Sequence, residues 1–246
     1  GARVMDARWS HEGGRIAFTL ASEHAVELWF ADARTGVARK LIDGVNAVMS
    51  SGFDWMGDGE RLLVRLVPKD RGAMPVRGAR PNGPAVQETT GAKTALRTYQ
   101  DLLTDAHDEA LFTYHGTSQL VFVNAATDAR TPLGRPALYS QAQPSPDGQY
   151  VLVTTLVAPF SRLVPYTDFA RTVAVWDRSG AVTKTIATLP VADTVPNGGV
   201  QAGPRSVRWQ PGMPATLAWA EALDGGNPKT MVPARDRVVT IAAPFT

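Results

Sequence analysis

Short apolar runs and period-2 alternation dominate the chain. Arg15–Leu20, Val26–Ala31 and Arg61–Val67 come first, followed by Gln119–Val123, Tyr150–Thr155, Val173–Trp176 and Ala215–Trp219. Each run is rich in β-branched and aromatic side chains and is bounded by Gly, Pro, Asp or Asn, the pattern of strands joined by tight turns. The chain therefore reads as all-β. A turn unit recurs ahead of strands: Trp9-Ser10-His11-Glu12-Gly13, Trp55-Met56-Gly57-Asp58-Gly59, Pro144-Ser145-Pro146-Asp147-Gly148 and, more loosely, Trp209-Gln210-Pro211-Gly212. Its Asp-Gly or Glu-Gly pair supplies the positive φ that a tight hairpin needs. An outer strand closing on a short turn follows most copies, as in Leu28–Gly36, Leu120–Asp128 and Val173–Gly180.

The interval from Trp9 to Trp55 matches one four-stranded propeller blade, whose period is roughly 40 to 50 residues. The later intervals need insertions. A sandwich would supply strands without this paired recurrence. The pattern thus predicts a partial β-propeller of about four blades of four-stranded antiparallel sheets, with repeats starting near residues 6, 52, 141 and 206. Four is the low end of the roughly four to eight blades of closed propellers. No strand visibly returns after Ala243-Pro244-Phe245-Thr246, so the expectation is the front part of a longer protein. The main insertion is 69–115. Its first half, Lys69 to Lys93, is rich in Pro, Gly and Ala, is net basic, and reads as a mobile loop. In its second half Tyr99, Leu102, Leu103, Ala106, Ala110 and Leu111 recur at helical spacing among acidic residues. This predicts one inserted helix near 98–112, with Thr98 as N-cap.

Composition narrows the function classes. With 246 residues, 44% of them hydrophobic, the chain can build a sizeable core. The absence of cysteine excludes a disulfide framework, a thiolate zinc site and a cysteine nucleophile. A net charge of +2 is too small for a nucleic-acid binder. No run reaches the roughly 18 apolar residues of a membrane span. Gly1-Ala2-Arg3 lacks both an initiator Met and an apolar signal region, which suggests a processed or trimmed start.

Catalytic chemistry is scarce. No Gly-x-Ser-x-Gly elbow is present; Gly116-Thr117-Ser118-Gln119-Leu120 has the first glycine but not the last. Of the histidines, His11, His24, His107 and His115, the first occupies a repeat turn and His107 a helix face. His107-Asp108-Glu109 with His115 lacks the helical pairing that aims two imidazoles at one zinc. Gly57-Asp58-Gly59 continues with leucine where a phosphate loop has its third glycine. The six tryptophans fall in repeat or strand positions, where packing accounts for them. No catalytic residue, metal site or cofactor is expected within this chain.

Longer stretches carry a more specific signal. Gly52–Trp55, Arg65–Pro68, Gly83–Thr89, Arg97–Leu103, His107–Phe112, Thr117–Leu120, Pro159–Tyr166 and Glu221–Gly226 together resemble the N-terminal propeller of prolyl oligopeptidase-type serine peptidases, in particular the glutamyl endopeptidase branch. The resemblance runs over essentially the whole chain. It implies a propeller that caps a following α/β-hydrolase domain, which supplies Ser, Asp and His in that order. It implies serine endopeptidase activity for the parent, peptide substrates of acidic preference, and for this portion a role in gating access and binding peptide.

Arginine, 20 of the 25 basic residues, suits carboxylate recognition because its planar fork meets a carboxylate with two hydrogen bonds. Arg97 and Arg162 lie in segments that carry the resemblance, as does Tyr166, and these three are the candidate substrate-binding residues. A structural pairing is open to each arginine, Arg97 with Asp101 and Arg162 with Asp168. The alternative reading is a non-enzymatic scaffold, TolB-like or WD-repeat-like, for protein–protein interaction. Branch relatives are exported in bacteria or plastid-located in plants, and the Arg- and Ala-rich composition leans towards an exported bacterial enzyme. Unpaired N–H and C=O groups at open blade edges predict self-association of the isolated chain.

Overall fold

A computed structural model describes residues 2–78 and 99–246. The first sheet contains β1 (Arg3–Trp9), β2 (Arg15–Ala21), β3 (Val26–Asp32) and β4 (Ala38–Ile42). The second contains β5 (Phe53–Trp55), β6 (Arg61–Leu66), β7 (Ser118–Asn124) and β8 (Arg130–Ala137), with helix α1 (Ala106–Gly116) between β6 and β7. The third contains β9 (Tyr139–Pro144), β10 (Tyr150–Leu156), β11 (Arg171–Asp177) and β12 (Val182–Leu189). The fourth has three strands, β13 (Arg205–Trp209), β14 (Thr216–Ala222) and β15 (Asp236–Ala242). Within every sheet, neighbours in sequence pair antiparallel, as expected for a partial β-propeller.

Apolar cores lie between successive sheets. Ala17, Leu28, Phe53, Trp55, Leu62 and Val64 join the first to the second. Met56, Leu63, Leu120, Phe122, Val151 and Val153 join the second to the third. Leu152, Val173, Val175, Trp209, Leu217 and Phe245 join the third to the fourth. Side chains alternate faces along a strand, so Leu62, Leu63 and Val64 serve two different cores in turn. That is why the centres of β6 and β10, Leu62–Val64 and Val151–Val153, read as continuous apolar runs without period-2 alternation. The outermost faces carry no such load: Val4, Met5 and Val238 are exposed.

The first strands of the sheets are tied together by indole groups. Trp55 Nε1 donates to the Arg8 carbonyl at 3.0 Å, and Trp209 Nε1 donates to the Gln143 carbonyl at 2.9 Å. Each indole reaches the first strand of the preceding sheet, one residue ahead of its turn unit. In the third sheet Pro144 occupies the tryptophan's position and has no such donor. There the backbones close up instead: a Cβ on Gly57 would stand 1.9 Å from the Pro146 carbonyl oxygen, so only glycine fits. The turns follow the expected chemistry, with Asp58 Oδ1 accepting from the Glu60 and Arg61 N–H groups, both at 3.0 Å.

Charged groups reinforce these seams. Arg8 donates to Asp6 at 3.1 Å and Ser51 at 2.8 Å and pairs with Asp54 across to the second sheet. Arg65, only 4% exposed, reaches the Ala142 carbonyl of the third sheet at 3.2 Å. Burial pushes the Asp54 carboxyl above the usual carboxylate range, and the Arg8 and Arg65 charges oppose that push.

The helix starts later than predicted, at Ala106 rather than near 98. Asp101 adopts a left-handed φ of 56°, which a right-handed helix cannot pass through. Asp105 is the cap, accepting from the N–H groups of His107 and Asp108 at 2.9 and 3.0 Å. Tyr99 and Leu103 are apolar because they pack on the cluster around Leu138 and Phe169, not because they continue the helix. Thr98, the expected cap, lies outside the described residues, as does most of the Lys69–Lys93 loop.

An antiparallel meander sorts its connections by end. Those following odd-numbered strands (10–14, 56–60, 145–149, 210–215) are tight turns at one end. Those following even-numbered strands include the long segments 67–117, 157–170 and 190–204, gathered at the other. The indole ties make a direct prediction for urea unfolding. Trp209→Phe should lower stability by about 1–3 kcal/mol, because the half-buried Gln143 carbonyl loses its donor. Trp9→Phe, at an equivalent but 58% exposed position, should stay within about 0.5 kcal/mol of the parent. Equal effects would show that the ties carry no energy.

Candidate functional site

The principal cavity, about 770 Å³, opens at the long-connection end between the third and fourth sheets. Its floor is polar. Thr154 Oγ1 donates to Gln141 Oε1 at 3.1 Å, bridging β9 and β10. One wall is Arg171 on β11, whose guanidinium donates to the Thr167 carbonyl at 2.8 Å, the Phe169 carbonyl at 3.2 Å and Gln201 Oε1 at 2.7 Å. Gln201 in turn donates to the Pro190 carbonyl at 2.6 Å, so one side chain locks the 157–170 and 190–204 connections together. Burial pulls Arg171 below the usual arginine range while Asp168 opposes the shift; the group stays protonated. The opposite wall is β13, with Arg205, Ser206 and Arg208.

Tyr166, one of the three candidates from the sequence, lines this cavity and is 39% exposed. It sits in a single 3₁₀ turn, Tyr166–Asp168, that the aromatic cluster behind it holds in place. Phe112 of α1 meets Phe160 edge-on at 5.2 Å and Phe169 edge-on at 5.6 Å, with Tyr166 tilted against it at 6.2 Å. Helix α1 thereby becomes the buttress of the 157–170 connection. Its far end is fixed by the buried Asn46, which donates to the carbonyls of His115 and Thr117, both at 2.9 Å.

Arg162 belongs to the same connection but points to α1, with Nε at 2.8 Å and Nη2 at 2.7 Å from Glu109 Oε1. Its partner is therefore Glu109 and not Asp168, and it does not line the cavity. Arg97 lies outside the described residues. The structure thus brings Tyr166 to the cavity, sets Arg162 behind it, and adds Arg171, Arg205 and Arg208, which sequence reasoning passed over. For Arg208 a signal existed: it immediately precedes Trp209, as Arg8 precedes Trp9. Among the described residues no histidine side chain hydrogen-bonds a serine or a carboxylate, and no His/Asp/Glu group is placed to hold a metal. No described helix is long and apolar enough to cross a membrane.

Comparison with known proteins gives relatives and a fold. No family model matches the chain. Over 251 residues it is 36% identical to a protein of Oryza sativa subsp. japonica named probable glutamyl endopeptidase, chloroplastic, a match covering 97% of this chain and 26% of the relative. The Arabidopsis thaliana protein of the same name is 36% identical over 250 residues, with the same coverage of 97% and 26%. The chain spans about a quarter of the length of these curated relatives. Among solved structures, a prolyl endopeptidase superposes with a TM-score of 0.54 at 13% identity, covering 99% of this chain and 27% of that one. Pyrococcus horikoshii acylaminoacyl peptidase gives 0.50 at 14% identity, covering 96% and 30%. An oligogalacturonate lyase also gives 0.50 at 14%, covering 94% and 48%, so the shared fold by itself does not fix a chemistry.

Two carboxylates at the start of the buttress give it an expected pH dependence. Backbone donation from Asp108, then the Arg77 guanidinium, holds the Asp105 carboxyl below the usual carboxylate range. The Thr104 hydroxyl, then its N–H, does the same for Asp108. Lowered folded values mean that these groups stabilise the helix fully above about pH 5 and lose that contribution as pH falls through them. Hydrogen exchange should therefore show α1 amides losing protection between about pH 5 and 3, corrected for intrinsic rates, while β10 and β11 keep theirs. Asp105→Ala should produce the same loss at neutral pH. Unchanged α1 protection in that variant would show that the cap does not hold the helix.

Proposed function

From this chain's homology to part of the plant proteins named probable glutamyl endopeptidase, and from its β-propeller fold, we propose that it is the non-catalytic propeller portion of a serine endopeptidase. The single observation that carries the reading is 36% identity sustained through 97% of the chain, far more than a shared repeat pattern produces. In this reading residues 1–246, with the insertion 69–115, form a propeller portion whose parent adds an α/β-hydrolase domain. The nucleophile, base and oxyanion donors of an acyl-enzyme route come from that domain. The propeller's share is to admit peptides and to present part of the surface that holds them, with a preference for acidic residues.

The long-connection end is the side that fits this role. Its cavity is of the size that suits a few peptide residues, and its walls are tied by Arg171 and braced by α1. Tyr166 offers an aromatic face with a hydroxyl at the cavity wall. Arg162 acts from behind as a positioning residue, through Glu109 and the connection that carries Tyr166.

The test uses the full-length protein that carries this chain, assayed on end-capped peptides with glutamate or glutamine at one position. Cleavage after glutamate that a serine-directed inhibitor abolishes is the expected result. No hydrolysis of either peptide, with stable capture of a protein partner instead, would replace the peptidase reading by the scaffold. Within an active enzyme, Tyr166→Ala should raise KM several-fold with little change in kcat. Arg162→Ala should lower kcat/KM on glutamyl and neutral peptides to the same extent. A loss of about tenfold or more confined to glutamyl peptides would instead place Arg162 on the substrate.

A further inference from the structure

The residue ahead of each turn unit occupies one equivalent position on the first strand of each sheet: Arg8, Asp54, Gln143 and Arg208. Arg8 and Asp54 pair with each other. Gln143 offers its carbonyl to Trp209. Arg208 is exposed, lines the 770 Å³ cavity, and has neither a hydrogen bond nor an ion pair for its guanidinium among the described residues. The other two guanidinium groups in the wall are engaged, Arg171 by Thr167, Phe169 and Gln201, and Arg205 by Asp236. Asp168, the one carboxylate of the lining among the described residues, faces Arg171 electrostatically. Among the described residues the cavity therefore keeps one uncompensated cation.

The strand that carries it is bulged, as the first strands β1 and β9 are, and here the bulge includes a left-handed residue. Ser206 has a left-handed φ of 54°, and the pairing of β13 with β14 slips by one residue between Arg205, opposite Ala220, and Arg208, opposite Ala218. A one-residue slip exchanges the faces of a strand. With the bulge, Val207 and Trp209 stay in the core while Arg208 stands in the cavity wall. Strain of this kind persists only where the surroundings over-determine it, and here the indole of Trp209, tied to Gln143, fixes the next residue.

We propose that Arg208 is the carboxylate-binding residue of this cavity, taking an acidic side chain or the C-terminal carboxylate of a peptide. The proposal rests on the reading that the propeller holds peptides and assigns the group that recognises their charge. A guanidinium fork binds a carboxylate through two parallel hydrogen bonds, and the cavity, walled by two sheets, gives that pairing less competition from water than an open surface does.

Stopped-flow anisotropy on the full-length protein, read before turnover, tests it with three peptides carrying a neutral fluorophore. One contains glutamate with both ends capped, the second replaces glutamate by glutamine, and the third is the glutamine peptide with a free C-terminal carboxylate. The parent should bind the first, the third or both at least tenfold more tightly than the second, and which of them gains identifies the source of the carboxylate. Arg208→Gln should remove that preference, weakening the carboxylate-bearing peptides at least tenfold more than the capped glutamine peptide, while its circular dichroism stays that of the parent. Arg208→Lys should retain part of it. A preference that survives in Arg208→Gln, or a parent that binds all three alike, overturns the assignment. A parent that binds none of the three overturns the peptide-binding reading itself.

Discussion

No sheet in this molecule can stand alone, and the architecture follows from that constraint. A small twisted sheet with two apolar faces has to bury both, and the second and third sheets each find that cover on the sheets before and after them along the chain. Leu62 and Val64 face backward while Leu63 faces forward; Val151 and Val153 face backward while Leu152 faces forward. Apolar burial is non-directional and would let neighbouring sheets slide. The indoles of Trp55 and Trp209, the Arg8–Asp54 pair and the close approach of Gly57 to Pro146 add the directional contacts that fix the seams.

The site follows from the seams. Strands that run tightly packed at one end open into long connections at the other, and the cavity is the space left between the third and fourth sheets where those connections begin. Its walls come from the five strands β9 to β13 and three connections, so no contiguous stretch of sequence encodes it. What encodes it is the requirement that each connection be held: Arg171 and Gln201 hold two of them together, and α1 holds one from outside through Phe112 and Glu109.

This division explains what could be read from the residues alone. The strands were legible because a strand packed on both faces leaves an uninterrupted apolar run, and the turns because Asp58-Gly59 and Asp147-Gly148 have a specific backbone task. The helix start was not legible: Tyr99, Leu102 and Leu103 mimic a helical period, while packing and the left-handed Asp101 decide otherwise. Arg162 could be recognised as a residue in need of a partner, but Asp168 stood near in sequence and Glu109 near in space. Arg208 was passed over because its place ahead of Trp209 marks a repeat position and says nothing of a cavity. Its meaning comes from comparing the four first strands, and the structure adds the bulge at Ser206 that turns it towards the cavity.

The alternating allegiance of the central strands also governs how such a chain can change over evolutionary time. Deleting one residue within β6 or β10 would swap every side chain between two cores at once, so length changes there are excluded. The tight turns are nearly as closed to them, since Asp58 and Ser145 bond to the strands that follow. Length can vary only in the connections at the opposite rim, and the later repeat intervals lengthen there, through 67–117, 157–170 and 190–204. The rim free to drift is the rim that carries the cavity, so new binding specificities can be tried there while the sheets that support them remain the same.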